Sequence, residues 1–276
     1  MSPPTAPAPY GVIGGSGFYE FFDSAERVSV ATPFGEPSSD VVLGSISERR
    51  VAFLARHGED HRMPPHRVNY RANLWALRSV GVRQVISPCA VGSLRADLGP
   101  GTVVVPDQVV DRTWGRGHTV YDEPGSVVHV EFADPYCPHG RRAVLVAAEG
   151  HGLRAVDGGT LVVVNGPRFS TRAESLMHQQ AGWTVVGMTA MPEAALAREL
   201  AMCFTTVALV TDFDAGVDGG APVTHEAVLA AFAENVDRLK ALVAQAVGAL
   251  PGPDATDPGC RCRRALDGLS LPFDLP

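Results

Sequence analysis

Short apolar runs ending in Gly, Pro or polar residues recur along this chain, separated by stretches whose apolar positions lie three and four residues apart. The runs predict strands in "YGVIG", "DVVLGSI", "RRVAFLA", "RQVISPCAVGSL", "TLVVVNG", "WTVVGMTA" and "FTTVALVTD". "GTVVVPDQVVD" reads as a strand pair or a bulged strand interrupted by Pro106. Helical spacing predicts helices in "NYRANLWALRSVG", which stops at Gly81, in 141–150, in "TRAESLMHQQAG", in "PEAALARELA", and from about Thr224 to Gly248. Alternation without a repeating period predicts a single α/β domain with helices on both faces of one sheet. Residues 1–9 read as a Pro-rich disordered leader, 10–250 as the domain, and 251–276 as a tail that "LSLPFDLP" could anchor. Residues 112–140 form a Gly-, His- and Pro-rich excursion with little periodicity, of the kind that is functional or intersubunit in compact enzymes.

Composition narrows the classes. A net charge of −7 with no block of five or more Lys or Arg excludes a nucleic-acid footprint. No basic segment leads into an apolar stretch near the start, and no apolar run reaches about 18 residues, so neither export nor a membrane span is expected and the cytoplasm is the default. Among the 5 cysteines, Cys89, Cys137 and Cys203 stand isolated, as reduced thiols do. Cys260 and Cys262, in "CRC", read chiefly as unpaired thiols; a redox-labile pair or half a metal site stays open, with no second Cys or His pair nearby in sequence to complete four ligands.

Ligands of open α/β sheets bind beyond the carboxyl ends of strands. At those predicted ends stand Gly14–Gly17 with Ser16, Arg56–His57, Cys89–Ala90, Gly166–Ser170, Met188–Thr189 and Asp212–Asp214. Together they suit a phosphate and a polar heterocycle. Gly15-x-Gly17 begins a dinucleotide fingerprint, but Glu20 occupies the third glycine position, leaving a loop rich in backbone N–H groups. His57, His61 and His66 invite a zinc reading, which Gly58, Pro64, Pro65 and the neighbouring Arg56 oppose. Arg56 offers a planar fork to anion oxygens and His57 a second donor. Asp212 and Asp214, at i and i+2, share one side of an extended chain. Taken singly, a plain turn, a surface ion pair and two solvated turn acids remain open for these motifs.

Taken together, "GGSGFYEF", "RHGEDHRMPPHRVNYRANLWAL", "CAVGSLR", "NGPRFSTRAES", "GMTAMPEAALAREL" and "VTDFD", in this order over roughly residues 10–250, resemble the 5′-methylthioadenosine phosphorylases, the 6-aminopurine branch of the trimeric purine nucleoside phosphorylase family. The resemblance implies a mixed sheet of nucleoside phosphorylase type. It implies reversible cleavage of a nucleoside by phosphate to free purine and a pentose 1-phosphate, with no metal or organic cofactor, in a homotrimer whose pairing into hexamers stays open. By match to the family pattern, Ser16, Arg56, His57, Cys89, Ala90 and Thr189 hold phosphate and Met188 lies by the ribose. Phe169 and Ser170 meet the base, Asp212 donates a proton at N7, and Asp214 accepts from the 6-amino group.

The 6-oxopurine branch resembles this chain but reads "GPxFET" and carries Asn at the first acid position, whereas Ser170 and Asp212 stand here. Adenine is therefore expected, ahead of a methylthioinosine-preferring branch. His129 matches a position that closes the 5′ pocket across a subunit interface. His225, in "PVTHEAVL", departs from the small apolar residue expected there and resembles enzymes that accept a 5′-hydroxyl, so tolerance for adenosine is expected. A hydrolytic nucleosidase and a non-catalytic nucleoside-binding protein are the rival readings. The resemblance also extends to C-terminal CxC pairs, which in some members of the family form a stabilising disulfide.

Overall fold

The computed structural model describes residues 7–15, 22, 25–125, 127–217, 223–252 and 260–276. Its elements run β1 (Tyr10–Gly14), β2 (Glu26–Val28), β3 (Val41–Ile46), β4 (Arg49–Ala55), α1 (Tyr70–Ser79), β5 (Gln84–Ser93), β6 (Val103–Val105), β7 (Gln108–Arg112) and α2 (Pro138–Gly150). They continue with β8 (Ala155–Asp157), β9 (Thr160–Val164), α3 (Arg172–Gln180), β10 (Val185–Gly187), α4 (Ala190–Glu199), β11 (Cys203–Phe213) and α5 (His225–Ala249). One mixed sheet of 11 strands carries the order β2-β3-β4-β1-β5-β10-β9-β7, while β11 lies on the other side of β5 and leads through β6 to β8.

Alternate residues of the central strands feed two cores. Ala52, Leu54, Val85, Phe204, Ala208 and Val210 join the core that includes Leu74 and Leu77 of α1 and Leu196 of α4. Val51, Phe53, Ile86, Val207 and Leu209 join the one that includes Val144 of α2 and Leu242 and Val243 of α5. Strands covered on both faces read as the unbroken apolar runs seen in the sequence.

β5 creates the opening that becomes the site. On one side it pairs with β11 along its length. On the other, Gln84–Ile86 pair with β1, then Gly92 and Ser93 pair antiparallel with β10. Between these two partners residues 87–91 have no strand beside them, so the sheet splays. Pro88 falls in this gap: its missing N–H, costly in a fully paired central strand, breaks no ladder bond on that side.

Several boundaries differ from the sequence reading. Ala8 lies fully buried and its N–H bonds to Val80 O, and Pro9 O accepts from Arg83 and Gln84, so the packed chain starts before residue 10. β2 and β8, three residues each, lack the apolar run that announces a strand. β6 and β7 are separate strands with different partners, β11 and β8 for one and β9 for the other. α2 starts at Pro138, three residues ahead of the predicted 141, with Pro at its first position, where the absent N–H costs nothing.

The excursion is fastened despite its lack of periodicity. Arg116 bonds through Nη1 to Met191 O (2.5 Å) and Tyr70 Oη (3.2 Å) and through Nη2 to Asn165 O (2.9 Å). Arg198, at the far end of α4, donates to Glu131 O and Asp134 O, and Glu199 accepts from Val120 N and Thr119 Oγ1. The tail packs too: Leu271 and Leu275 lie against the core, and Phe273 contacts the rings of Trp75 and Tyr121. Among the described residues no helix is long and apolar enough to cross a membrane.

Candidate active site

The gap beside β5 holds a cavity of about 260 Å³. Its lining includes Arg56, His57, Cys89, Ala90, Phe169, Ser170, Met188, Thr189, Asp212, Asp214 and His225, residues the sequence scatters over 170 positions. Ser16 lies outside the described residues. His129 does not line the cavity; it is exposed on the excursion.

Arg56 departs most from the sequence reading. It follows β4 directly and lies fully buried, at 1% exposure, and it is neither a surface ion-pair partner nor an open fork. Its Nε donates to Glu193 Oε1 at 2.5 Å, and Nη2 reaches Ser87 Oγ (2.6 Å), Ile13 O (3.1 Å) and Glu193 Oε2 (3.4 Å). Nη1 donates to Pro88 O at 3.3 Å, the carbonyl left over in the splayed stretch of β5. Among the described residues one Nη1 proton has no acceptor and is left for a ligand. Ser87 Oγ in turn donates to Glu193 Oε2 at 2.8 Å. Glu193, in the first turn of α4, is 0% exposed and neutralises the guanidinium inside the protein. The sequence signal for it was a lone acid before the apolar stretch "AALA", which the helix reading passed over.

His57 is also corrected. Its Nδ1 lies 2.8 Å from Met63 O, which can only accept, so Nδ1 carries the proton and Nε2 presents a lone pair to its surroundings. Burial, helped by the Arg56 charge, lowers its pKa to about 4, so the ring is a neutral acceptor, not the donor inferred from sequence. Such an acceptor matches a phosphate that still carries a proton. The His61 ring lies against His57, centroids 4.5 Å apart. With Arg56 balanced and His57 neutral, this end of the cavity has little net charge. Its remaining donors are polar: the last Nη1 proton, the hydroxyl of Thr189, which makes no capping bond, and the backbone at the start of α4. Cys89 stands here as a thiol whose pKa burial pushes up to about 12, which leaves it unsuited to nucleophilic attack.

The opposite end is built on β11. The strand stays extended to Phe213, but its register against β5 shifts between Val210 and Asp212. Thr211 is the extra residue, and its Oγ1 donates to Asp212 Oδ2 at 2.8 Å. Both acids still line the cavity, in unlike settings. Asp214 is 3% exposed and accepts a short hydrogen bond from Ser175 Oγ of α3. Among the described residues Asp212 has no cationic partner; burial first, then the Asp214 charge, raise its pKa from 3.8 to about 6. Glycine at position 92 suits this crowding, since a Cβ there would come within 3.0 Å of Asp212 Oδ1 and 3.3 Å of Asp214 Cβ.

Between the ends, the segment 165–171 delivers Phe169 and Ser170. Thr171 caps α3 by accepting from Glu174 N, while Glu174 accepts from Thr171 N in return. Arg168 adds two bonds of 2.8 Å to the Glu174 carboxylate, and these contacts hold that acid down to about 2. Gly166, at φ +60, lets Met188 pass close by: a Cβ there would meet its Sδ at 2.5 Å. The third wall comes from α5. His225, Val228, Leu229 and Phe232 stand at i, i+3, i+4 and i+7, one helical face turned to the cavity. Of these the sequence reading singles out only His225; the spacing of the other three is that of any helix packed against a core.

The expected isolation of Cys137 and Cys203 does not hold. The fold brings both to Cys260 and Cys262, with the four Sγ atoms within 4.8 Å of one another and away from the cavity.

A splayed α/β sheet with a polar pocket at one end and an acid pair at the other defines a class that binds an anion beside a heterocycle. The profile described as "Phosphorylase superfamily" matches residues 9–248, and the chain belongs to that family. It is 58% identical over 276 residues to a purine nucleoside phosphorylase of Streptomyces coelicolor, covering 98% of each chain. It is 54% identical to the S-methyl-5′-thioadenosine phosphorylase of Mycolicibacterium smegmatis, covering 96% of this chain and 99% of that one. The crystal structure of a methylthioadenosine phosphorylase from an antarctic soil metagenomic library superposes with a TM-score of 0.87 at 39% identity, covering 95% of this chain and 92% of that one.

Proposed function

We propose that this chain catalyses phosphorolysis of 5′-methylthioadenosine, or a closely related 5′-deoxy or 5′-substituted adenosine, to adenine and 5-methylthioribose 1-phosphate. The observation that carries the reading is Asp212, an acid without a cationic partner whose pKa is raised to about 6, across the cavity from a polar, nearly uncharged anion pocket. Breaking the C1′–N9 bond leaves negative charge on the purine and an electron-poor sugar. Protonated Asp212 relieves the first by donating at N7, and phosphate held beside C1′ captures the second. Phosphate rests on the Nη1 group of Arg56, His57, Thr189 and the Cys89–Ala90 backbone; Ser16, which the family pattern also assigns to phosphate, lies outside the described residues. The base lies against Phe169 and Ser170, with Asp214 accepting from the 6-amino group, and Met188 borders the ribose.

The α5 wall favours an apolar 5′ group. Val228, Leu229 and Phe232 give a methylthio substituent an apolar surface, while His61 and His225 leave a hydrogen-bonding position through which adenosine is tolerated as a secondary substrate. The homotrimer belongs to the same proposal: Trp114 and Val127, 75% and 79% exposed, lie on the excursion with His129, which would close a neighbouring subunit's 5′ pocket. The test is adenine release from methylthioadenosine and from adenosine, each with and without phosphate. The reading requires phosphate-dependent release with higher kcat/KM for methylthioadenosine. Release without phosphate would make the protein a hydrolase, and a tenfold or greater preference for adenosine would remove the methylthio assignment.

A further inference from the structure

From the four converging thiols we infer a structural zinc(II) site formed by Cys137, Cys203, Cys260 and Cys262. Their Sγ atoms all lie within 4.8 Å of one another, with Cys260 at 3.7 Å from Cys137 and 3.5 Å from Cys203. A tetrahedral tetrathiolate with zinc–sulfur bonds of about 2.3 Å has edges of about 3.8 Å. Disulfides, by contrast, bring sulfurs in pairs to about 2.0 Å. All five cysteines are free in this structure.

The surroundings fit a buried anionic cluster. Cys137 is the N-cap residue of α2 and makes no capping bond, so its sulfur turns to the cluster at the positive end of that helix. Arg198, 6% exposed, points Nη2 at Cys262 Sγ from 3.9 Å. Arg261 and Arg263 flank Cys262 in sequence. The buried Arg198 charge offsets part of the two negative charges of Zn(Cys)₄. Binding replaces four S–H protons with four zinc–sulfur bonds and releases the protons to solvent, so affinity rises with pH.

The site ties three distant pieces together: the end of the excursion at Cys137, the first residue of β11 at Cys203, and the tail that carries Phe273 to Trp75 and Tyr121. Asp212 lies nine residues further along β11, about 30 Å at strand rise, so the metal holds the fold and takes no part in the reaction.

The test uses the full chain purified without chelator, with zinc measured by elemental mass spectrometry and thiols titrated after denaturation in chelator. We expect about one zinc per chain, five titratable thiols, and a near-ultraviolet thiolate-to-cobalt band when Co²⁺ replaces the metal. The double substitution Cys260→Ser with Cys262→Ser keeps the buried Cys137 and Cys203 in place. It should lower zinc content at least tenfold and lower Tm, with kcat and KM for methylthioadenosine unchanged. Zinc below about a tenth per chain after incubation with Zn²⁺ would overturn the inference. A single titratable thiol with a mass four hydrogens lower, marking two disulfides, would overturn it equally.

Discussion

The two ends of the cavity handle buried charge in opposite ways. At the anion end Arg56 is matched by Glu193 and three further acceptors within the protein. At the base end Asp212 has, among the described residues, only a neutral hydroxyl, and its pKa rises. The first arrangement is a rigid frame that presents a few donors without reorganising. The second keeps an acid poised to change protonation state during the reaction, at a cost in stability. A group balanced by its own protein cannot be released to chemistry, and a group left unbalanced can.

Glu193→Gln breaks the comparison most severely. It leaves a buried guanidinium without its counter-charge and should cost about 3–5 kcal/mol in denaturant unfolding. Phosphate should then raise the Tm of the variant by more than it raises that of the wild type, because the ligand now supplies the missing charge. An unchanged midpoint would show that Arg56 does not depend on Glu193.

Asp212→Asn acts at the other end with two opposite signs. Catalytic efficiency should fall about 10²–10⁴-fold, the usual worth of a general acid. Stability should rise at neutral pH, because a carboxyl whose folded pKa exceeds its unfolded value is penalised once ionised. That penalty is absent below about pH 4, grows between 4 and 6, and reaches at most about 3 kcal/mol above that window. A variant no more stable than wild type at pH 7.5 would contradict the desolvated setting of Asp212.

Much of this contrast was legible in the sequence, and the reasons it was not complete are physical. Strands buried on both faces leave unbroken apolar runs, so β1, β4, β5 and β11 could be read with their polar ends attached. The acid pair and the Arg56–His57 pair were visible for that reason. Glu193 was not, because a single acid inside a helix carries no sign of what it will face across a sheet. The His57 tautomer was hidden too, since it depends on Met63 O, a backbone atom placed by a turn. Cys137 and Cys203 looked solitary because their partners lie 123 and 57 residues away along the chain.

Smaller changes sharpen the middle of the cavity. His225→Val removes an imidazole from the face shared with Val228, Leu229 and Phe232, and should move the kcat/KM ratio of methylthioadenosine over adenosine upward by about tenfold. An unmoved ratio would place the 5′ group elsewhere. Thr171→Ala removes the capping box that steadies Phe169 and Ser170, and should cost about 1 kcal/mol with a modest rise in nucleoside KM. A normal KM would mean that Arg168 and Glu174 suffice to hold that segment.

The most direct test is the pH dependence of kcat/KM for methylthioadenosine in wild type and Asp212→Asn, taken as a ratio so that the ionisation of phosphate cancels. The account predicts a ratio that is high and flat below about pH 6 and falls by about tenfold for each pH unit above it, as the acid is lost. A ratio near one, or one that does not change with pH, would contradict Asp212 as the proton donor.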